Sequence, residues 1–398
     1  MTAELVKGFR DVLPIESLKR QKIREVIEKN FRLFGFMPVE TPSIEYEDFA
    51  KGDNEKDSAV SDRFKLTDRG NRQLSLRYEF TFQLKRVFKE NPNIKLPFRR
   101  YQIGYVFRDE PVEKDRYREF IQCDADIMGD SSIKADAECL ALADKICKEL
   151  GIKYTLKINN RKLLNSILKN LEITDTQNVL RLLDKLDKVD EDSIKKELTK
   201  YAEKDQILQL FKILGEDIDF FVKNNYEGSK EVLDLLKLCK EYKVNAKFSP
   251  FLLRGFSYYT GSVFEAYCNE IKGSIFAGGR YDNLVGSLSG RQIPAVGISL
   301  GRLLDYPKID VEPVKAIIIS IGQDKKSLQI MNSIRNSGIS CFMMEKVSRA
   351  LEFANTQQIP YIIFVGEEEV KKGKFKLRDM KTGKESMLVE SSLIKSIS

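Results

Sequence analysis

The sequence predicts an α+β chain of more than one domain, on three observations. Two strand-length stretches, Phe98–Phe107 and Tyr117–Met128, flank a short charged turn. A block at 160–246 carries leucine at helical spacing among Lys, Asp and Glu and is poor in glycine. The last part, 314–398, alternates strand-length apolar runs with amphipathic helical ones. At 398 residues the chain exceeds what one core usually accommodates, so two or three domains are expected.

The elements follow in order. Ile15, Leu18, Ile23, Val26, Ile27 and Phe31 recur near helical spacing, which predicts a helix over 15–34 ended by Gly35. Pro38 and Pro42 keep 36–42 extended. Residues 51–73, polar and containing Gly52 and Gly70, read as a loop or hairpin; Leu74–Arg77 reads as a short strand and Glu79–Lys89 as a helix. After the paired strands, Ala135–Leu150 reads as a helix with Leu140, Ala143, Ile146 and Cys147 on one face. Phe248–Asp305 returns to glycine-rich strands, and Pro307 and Pro313 mark a linker. In the last part, strands are expected at Val314–Ile321, Ile339–Met343 and Pro360–Val365, with helices to Asn336 and over Val347–Gln357. A hairpin at Lys374–Val389 turns at Thr382-Gly383, and the alternation predicts a mainly parallel sheet. The expected domains are 1–159, a helical insertion at 160–246, a return to the first domain at 247–306, and 314–398.

Composition excludes several function classes. No apolar run reaches the ~18–20 residues that span a bilayer. The first residues show no basic stretch followed by an apolar core, so the expectation is a cytoplasmic protein without a membrane partner. Lys and Arg number 67 against 60 Asp and Glu, a net +7 that fits a polyanion partner and ordinary solubility equally. The six cysteines form no C-x-x-C pair and read as reduced thiols. Histidine and tryptophan are absent. That removes histidine general bases, histidine zinc sites and histidine triads. Chemistry must rest on carboxylates, arginines, backbone, substrate groups and Mg²⁺, with no metal ligands assigned.

Three segments could carry that chemistry. Phe107-Arg108-Asp109-Glu110 and Arg116–Gln122 make an arginine-rich strand pair, and guanidinium forks match phosphate oxygens. Alone, such a hairpin is more often a solvated surface. Arg254–Gly261 and Gly273–Asp282 are glycine-rich runs holding Tyr258, Tyr259 and Arg280-Tyr281-Asp282. They suit close approach of an anionic ligand, or simply tight turns packed on tyrosines.

Together these segments resemble the histidyl-tRNA synthetase family of class II synthetases. Lys7–Asp11 with Pro14 is similar to its N-terminal signature, Pro38–Pro42 to motif 1, and Leu76–Thr81 to its amino-acid loop. Phe107–Gln122 is similar to motif 2, and Arg254–Gly261 and Ala277–Asp282 to its two histidine motifs. The final domain resembles a class IIa anticodon-binding domain. Several spellings, such as Gln122-Cys123-Asp124, look archaeal or eukaryotic. The resemblance implies an antiparallel sheet flanked by helices, ATP with Mg²⁺, L-histidine and tRNA(His) as partners, and a homodimer. It implies that Arg108 and Arg254 face the reacting α-phosphate. Glu79, Thr81 and Gln122 would hold the amino and carboxylate groups of histidine, with Asp126, Tyr258 and Tyr259 around its ring. ATP would meet Arg108, Glu110, Arg116, Gly279 and Arg280. The insertion is expected to contact the tRNA acceptor arm.

Some positions depart from the family. Pro111–Asp115 replaces an Arg-Pro-Gln-Lys-Gly-like run, and Ser257 stands where aspartate is usual. In motif 3, Arg302 directly follows Gly301, whereas the family places arginine where this chain has Leu304. Two residues on a helix are ~200° apart, so one side chain does not simply replace the other. That change favours an alternative, a non-catalytic synthetase-like regulatory subunit of ATP phosphoribosyltransferase. Without histidine residues, pH dependence near neutrality is expected to come from the substrate imidazole.

Overall fold

The computed structural model describes residues 3–50, 62–112, 116–186, 189–253, 258–312 and 314–398. It divides into two compact units, one of 1–11 with 20–308 and one of 12–19 with 309–398. The first helix spans Pro14–Leu33 and buries Ile23, Ile27 and Phe31, the stripe that its spacing predicts. Strand β1 (Met37–Pro38) then pairs in parallel with a later strand at one edge of the main sheet. Strands β2 (Ile44–Tyr46), β3 (Lys65–Thr67) and β4 (Gln73–Leu76) form a small antiparallel sheet in the order β2-β4-β3. Of the loop or hairpin expected over 51–73, residues 51–61 lie outside the described residues, and from 62 onward β3 and β4 pair as an antiparallel hairpin.

The helix expected at Glu79 begins later, at Gln83, and runs to Glu90. Glu79 instead folds back: its carboxylate accepts the N–H groups of Thr81 and Phe82, each at 2.6 Å. A side chain that serves backbone donors locally competes with helix at that point.

The main sheet has eight strands. β5 (Phe98–Phe107), β6 (Glu119–Met128), β7 (Thr155–Asn160), β8 (Ala246–Phe248), β9 (Ser262–Tyr267), β10 (Ser274–Arg280) and β11 (Ala295–Ser299) join β1 in the order β1-β5-β6-β11-β10-β9-β7-β8. The pairs at the two edges, β1 with β5 and β7 with β8, are parallel; the rest are antiparallel. β6 starts two residues later than its sequence suggests, because Arg118 turns its N–H to the Gly8 carbonyl. Helix Ile133–Glu149 packs along the sheet, and helix Ser229–Glu241 packs on it.

Between β7 and β8, helices at 161–170, 176–183, 191–198, 204–213 and 218–223 enclose their own core of Leu163, Ile167, Val179, Leu183, Ile194, Leu210 and Phe221. The helical texture of 160–246 therefore covers two packing layers, since Ser229–Glu241 joins the sheet instead.

The second unit holds five strands, β12 (Ala316–Ser320), β13 (Cys341–Met344), β14 (Tyr361–Val365), β15 (Phe375–Asp379) and β16 (Glu385–Leu388). Their order is β13-β12-β14-β15-β16, three parallel strands extended by an antiparallel hairpin. Alternation along β12 sends Ile318 to one helical layer and Ile317 and Ile319 to the other. Two short helices, Glu367–Lys372 and Glu390–Ile397, went unread in the sequence; the second buries Leu393 and Ile397.

Candidate active site

A cavity of about 860 Å³ opens on the main sheet. Its floor comes from β6, where period-two alternation sends Gln122, Asp124 and Asp126 to the cavity and Cys123, Ala125 and Ile127 to the opposite, buried face. Arg100 of β5 sits directly across from Asp126 in the ladder, and its guanidinium lies 2.8 Å from that carboxylate with neither side chain meaningfully exposed. Tyr281 donates its hydroxyl to the other oxygen of Asp126. Glycine at 297 makes room for this arrangement, since a Cβ there would collide with the Asp126 carboxylate.

Asp124 differs from its neighbours. Gln122 donates its amide to it at 3.2 Å, and Ser299 bonds to it as well, but no ion pair reaches it among the described residues. Burial pushes its carboxyl up to about 7; Arg100 opposes the shift, and the charges of Asp126 and Glu79 add to it. Burial likewise raises Glu79 and Asp126, opposed chiefly by hydrogen bonds at Glu79 and by Arg100 at Asp126. A raised carboxyl in the chain itself therefore stands beside the substrate imidazole as a group that titrates near neutrality.

Arg108 lies along the same cavity, fixed between two aromatic faces. Its guanidinium sits 4.3 Å from the Tyr78 ring centre and 5.0 Å from that of Phe120. It donates to the Tyr78 carbonyl and to Gln122 Oε1, each at 3.4 Å. Tyr78 donates its hydroxyl to Glu110 at 2.8 Å, and Arg116 closes an ion pair on the same carboxylate. Glu79, Thr81, Gln122, Asp126, Tyr258, Tyr259, Arg108, Glu110 and Arg116 thus all line one cavity. Arg254 and Ser257 lie outside the described residues.

Two residues expected at ATP, Gly279 and Arg280, do not line the cavity. Arg280 turns away and is buried against helix Ile133–Glu149: it pairs with Asp136 and donates to the carbonyls of Asp130 and Ser132, each at 3.0 Å. A saturated guanidinium in that position is a brace for the sheet. Gly279 lies under Tyr259, whose ring a Cβ at 279 would strike at 2.8 Å, so it serves the packing of that tyrosine. Asp124, Tyr281, Ser299 and Arg100 were missed. Alternation between Gln122 and Asp126 was signal enough for Asp124. Arg100 and Ser299 needed the ladder pairings, and Tyr281 was passed over beside a charged neighbour.

The cavity thus joins a carboxylate-rich floor to a guanidinium-lined side, in an arrangement that fits the resemblance. A family model for histidyl-tRNA synthetase matches residues 8–302, and one for an anticodon binding domain matches 315–398. The chain belongs to the histidyl-tRNA synthetase family. Histidine--tRNA ligase 1 of Bacillus cereus is 36% identical over 416 residues, covering 98% of each chain. Histidine--tRNA ligase of Clostridium tetani is 35% identical, covering 98% of this chain and 97% of its own. Both relatives are bacterial, although several motif spellings here look archaeal or eukaryotic. Among solved structures, histidyl-tRNA synthetase from Nostoc sp. PCC 7120 superposes with a TM-score of 0.87 at 23% identity, over 100% of this chain and 99% of that one. An ATP phosphoribosyltransferase regulatory subunit/histidyl-tRNA synthetase from Bacillus halodurans C superposes at 0.77 and 21% identity, over 92% and 98%. At these identities the superpositions establish the fold alone.

Two outcomes follow from the geometry. Arg280→Met should destabilise the protein by about 3–5 kcal/mol in urea unfolding, because it leaves Asp136 buried without its cation. Asp124 contributes a pH dependence of defined sign. Its folded value lies above the ordinary 3.8, so stability present at low pH is lost as pH rises from about 4 through about 7. Asp124→Asn should flatten the fall in unfolding free energy between pH 5 and 8 relative to wild type; equal slopes would place the titrating group elsewhere.

Proposed function

We propose that this protein activates L-histidine with ATP and transfers it to tRNA(His), releasing AMP and pyrophosphate. The observation that carries the reading is the joining, within one cavity, of the Glu79–Gln122–Asp124–Asp126 floor to the stacked Arg108 guanidinium. In this reading the substrate carboxylate attacks the α-phosphate. Arg108 neutralises charge developing there, held in line by Tyr78, Phe120 and Gln122, and Arg254 faces the same group by resemblance. Such transfers depend on positioning and charge more than on acid–base chemistry, which suits a chain without histidine. Glu110 lies toward the adenine and Arg116 toward the distal phosphates.

The floor supplies selectivity. Glu79 and Gln122 meet the ammonium and carboxylate groups of the substrate. Asp126, fixed by Arg100 and Tyr281, accepts a ring N–H, with Tyr258 and Tyr259 alongside. Ligands that leave these buried groups unpaired bind poorly. Mg²⁺ belongs to the ATP phosphates in this scheme, where it would neutralise charge; among the described residues no three Cys, Asp or Glu side chains gather as a metal site. The C-terminal domain would read the anticodon, and the Pro38–Pro42 segment would form a homodimer contact. No helix among the described residues is long and apolar enough to cross a membrane. Full-length relatives at 36% identity favour this reading over the regulatory-subunit alternative.

ATP–pyrophosphate exchange tests it. Exchange should require L-histidine and fall by roughly 10²-fold or more in Arg254→Ala. Histidine binding without exchange would favour the regulatory subunit.

A further inference from the structure

The link from β8 to β9 gives Leu253, Tyr258 and Tyr259 to the cavity wall. The end of β7 and the residue that follows it grip this link from both sides. At its start, the Ser249 N–H donates to the Ile158 carbonyl at 3.0 Å. At its finish, the Arg161 N–H donates to the Gly261 carbonyl at 2.8 Å. Asn159 is fully buried and donates its amide to the carbonyls of Pro250 and Leu252, each at 3.0 Å. A non-repeating backbone has no ladder to satisfy its buried carbonyls, so a side-chain amide takes that place. The Leu252 N–H turns back to the Ser249 carbonyl at 2.9 Å and closes a short turn.

Beyond this turn, two adjacent residues enter two different cores. Leu252 belongs to the core of Leu84, Phe88, Tyr259 and Tyr281, on which Tyr258 packs. Leu253 belongs to the core of the helical insertion, with Leu163, Leu183 and Phe221. Phe248, at the end of β8, packs on the insertion core as well, and its ring lies 5.7 Å from that of Phe221. On the pocket side, the Tyr258 ring lies 4.8 Å from Tyr259 and 5.8 Å from Tyr281, and Tyr281 bonds Asp126. Packed side chains therefore run without a break from the insertion, through 252–253, to the tyrosine that fixes Asp126. Close-packed interiors transmit strain, so a shift at one end of this run is felt at the other.

We propose that Asn159 and Leu253 are positioning residues for the histidine pocket, holding a strut at 249–253 that ties the core of the insertion to the pocket tyrosines. This rests on the histidine-binding part of the reading above. Asn159 acts through the two carbonyls that it holds, and Leu253 anchors the far end of the strut in the insertion. Loosening either contact lets the tyrosine side of the pocket shift. The guanidinium side, built from Arg108 and Arg116 at the β5–β6 turn, stays in place. The insertion is thereby part of what makes the pocket fit histidine.

The test compares wild type, Asn159→Ala, Leu253→Ala, Leu253→Met and the Asn159→Ala/Leu253→Ala double variant in ATP–pyrophosphate exchange. Ile194→Ala serves as control; it opens the same insertion core from the helix at 191–198 and is not on the cavity wall. The KM for histidine should rise at least ~5-fold in both single Ala variants, with the KM for ATP within ~2-fold. Leu253→Met keeps the volume at that position and should recover most of the loss. The double variant should raise the histidine constant by less than the product of the single effects, because both act on one strut. Ile194→Ala should match wild type in both constants. An unchanged histidine constant in both single Ala variants would overturn the proposal. So would an equal rise in the ATP constant, an equal histidine effect in Ile194→Ala, or a double variant equal to the product. If Asn159→Ala does not fold, Leu253→Ala against Leu253→Met decides alone, on the same histidine constant. If wild type shows no exchange, the adenylation reading fails separately. Calorimetric titration of L-histidine then decides: binding to wild type that weakens at least ~5-fold in Leu253→Ala supports the strut, and equal or absent binding overturns it.

Discussion

The buried pair between Arg100 and Asp126 is the constraint on which the site depends. Three carboxylates, Glu79, Asp124 and Asp126, converge where water is largely excluded, and each must be held by something. Glu79 takes backbone N–H groups, Asp126 takes Arg100 and Tyr281, and Asp124 takes neutral donors from Gln122 and Ser299. The β5–β6 register sets Arg100 across from Asp126, so a slip of one residue would part the two and reverse the faces. Such a pair adds little stability by itself, because desolvation offsets its attraction. Its value here is orientation: with Asp126 held by the Tyr281 hydroxyl at one oxygen and by the Arg100 charge at the other, the floor keeps one arrangement, and among the described residues neither Glu79 nor Asp124 takes an ion pair.

The cavity is electrostatically divided. Acidic groups sit at mid-strand on β6, and cationic groups sit beyond the ends of the strands and on the first helix. Arg108 joins the two, since Gln122 bonds both to it and to Asp124. Fixed charges of opposite sign at opposite ends orient a zwitterionic amino acid against a polyphosphate before reaction, so less reorganisation remains for the transition state. The β10 brace serves the same end from behind, as Arg280 ties the sheet to helix Ile133–Glu149.

Much of the fold was legible because it rests on local periodicity. The first helix, β5, the helix Val347–Gln357 and the strand–helix alternation at the C-terminus follow their apolar spacing closely. The misreadings share a cause, competition from non-local or side-chain hydrogen bonds. Glu79 captures the turn that spacing alone would give to a helix, and Gly8 draws Arg118 out of the β6 ladder.

By itself the sequence determined which side chains the site could use: carboxylates at alternate positions of one strand, arginines around a turn, and no histidine. Period-two alternation and residue chemistry are local properties, and they survive in a one-dimensional reading. Only the tertiary structure decided which of those groups share a cavity. Arg280 and Arg20 are both arginines near motif-like segments or helix starts, yet one is buried as a brace and the other lines the rim. That difference comes from pairing across 144 residues to Asp136 in one case and 285 residues to Asp305 in the other. Contacts at such separations are fixed by strand register and helix packing, which no local pattern encodes.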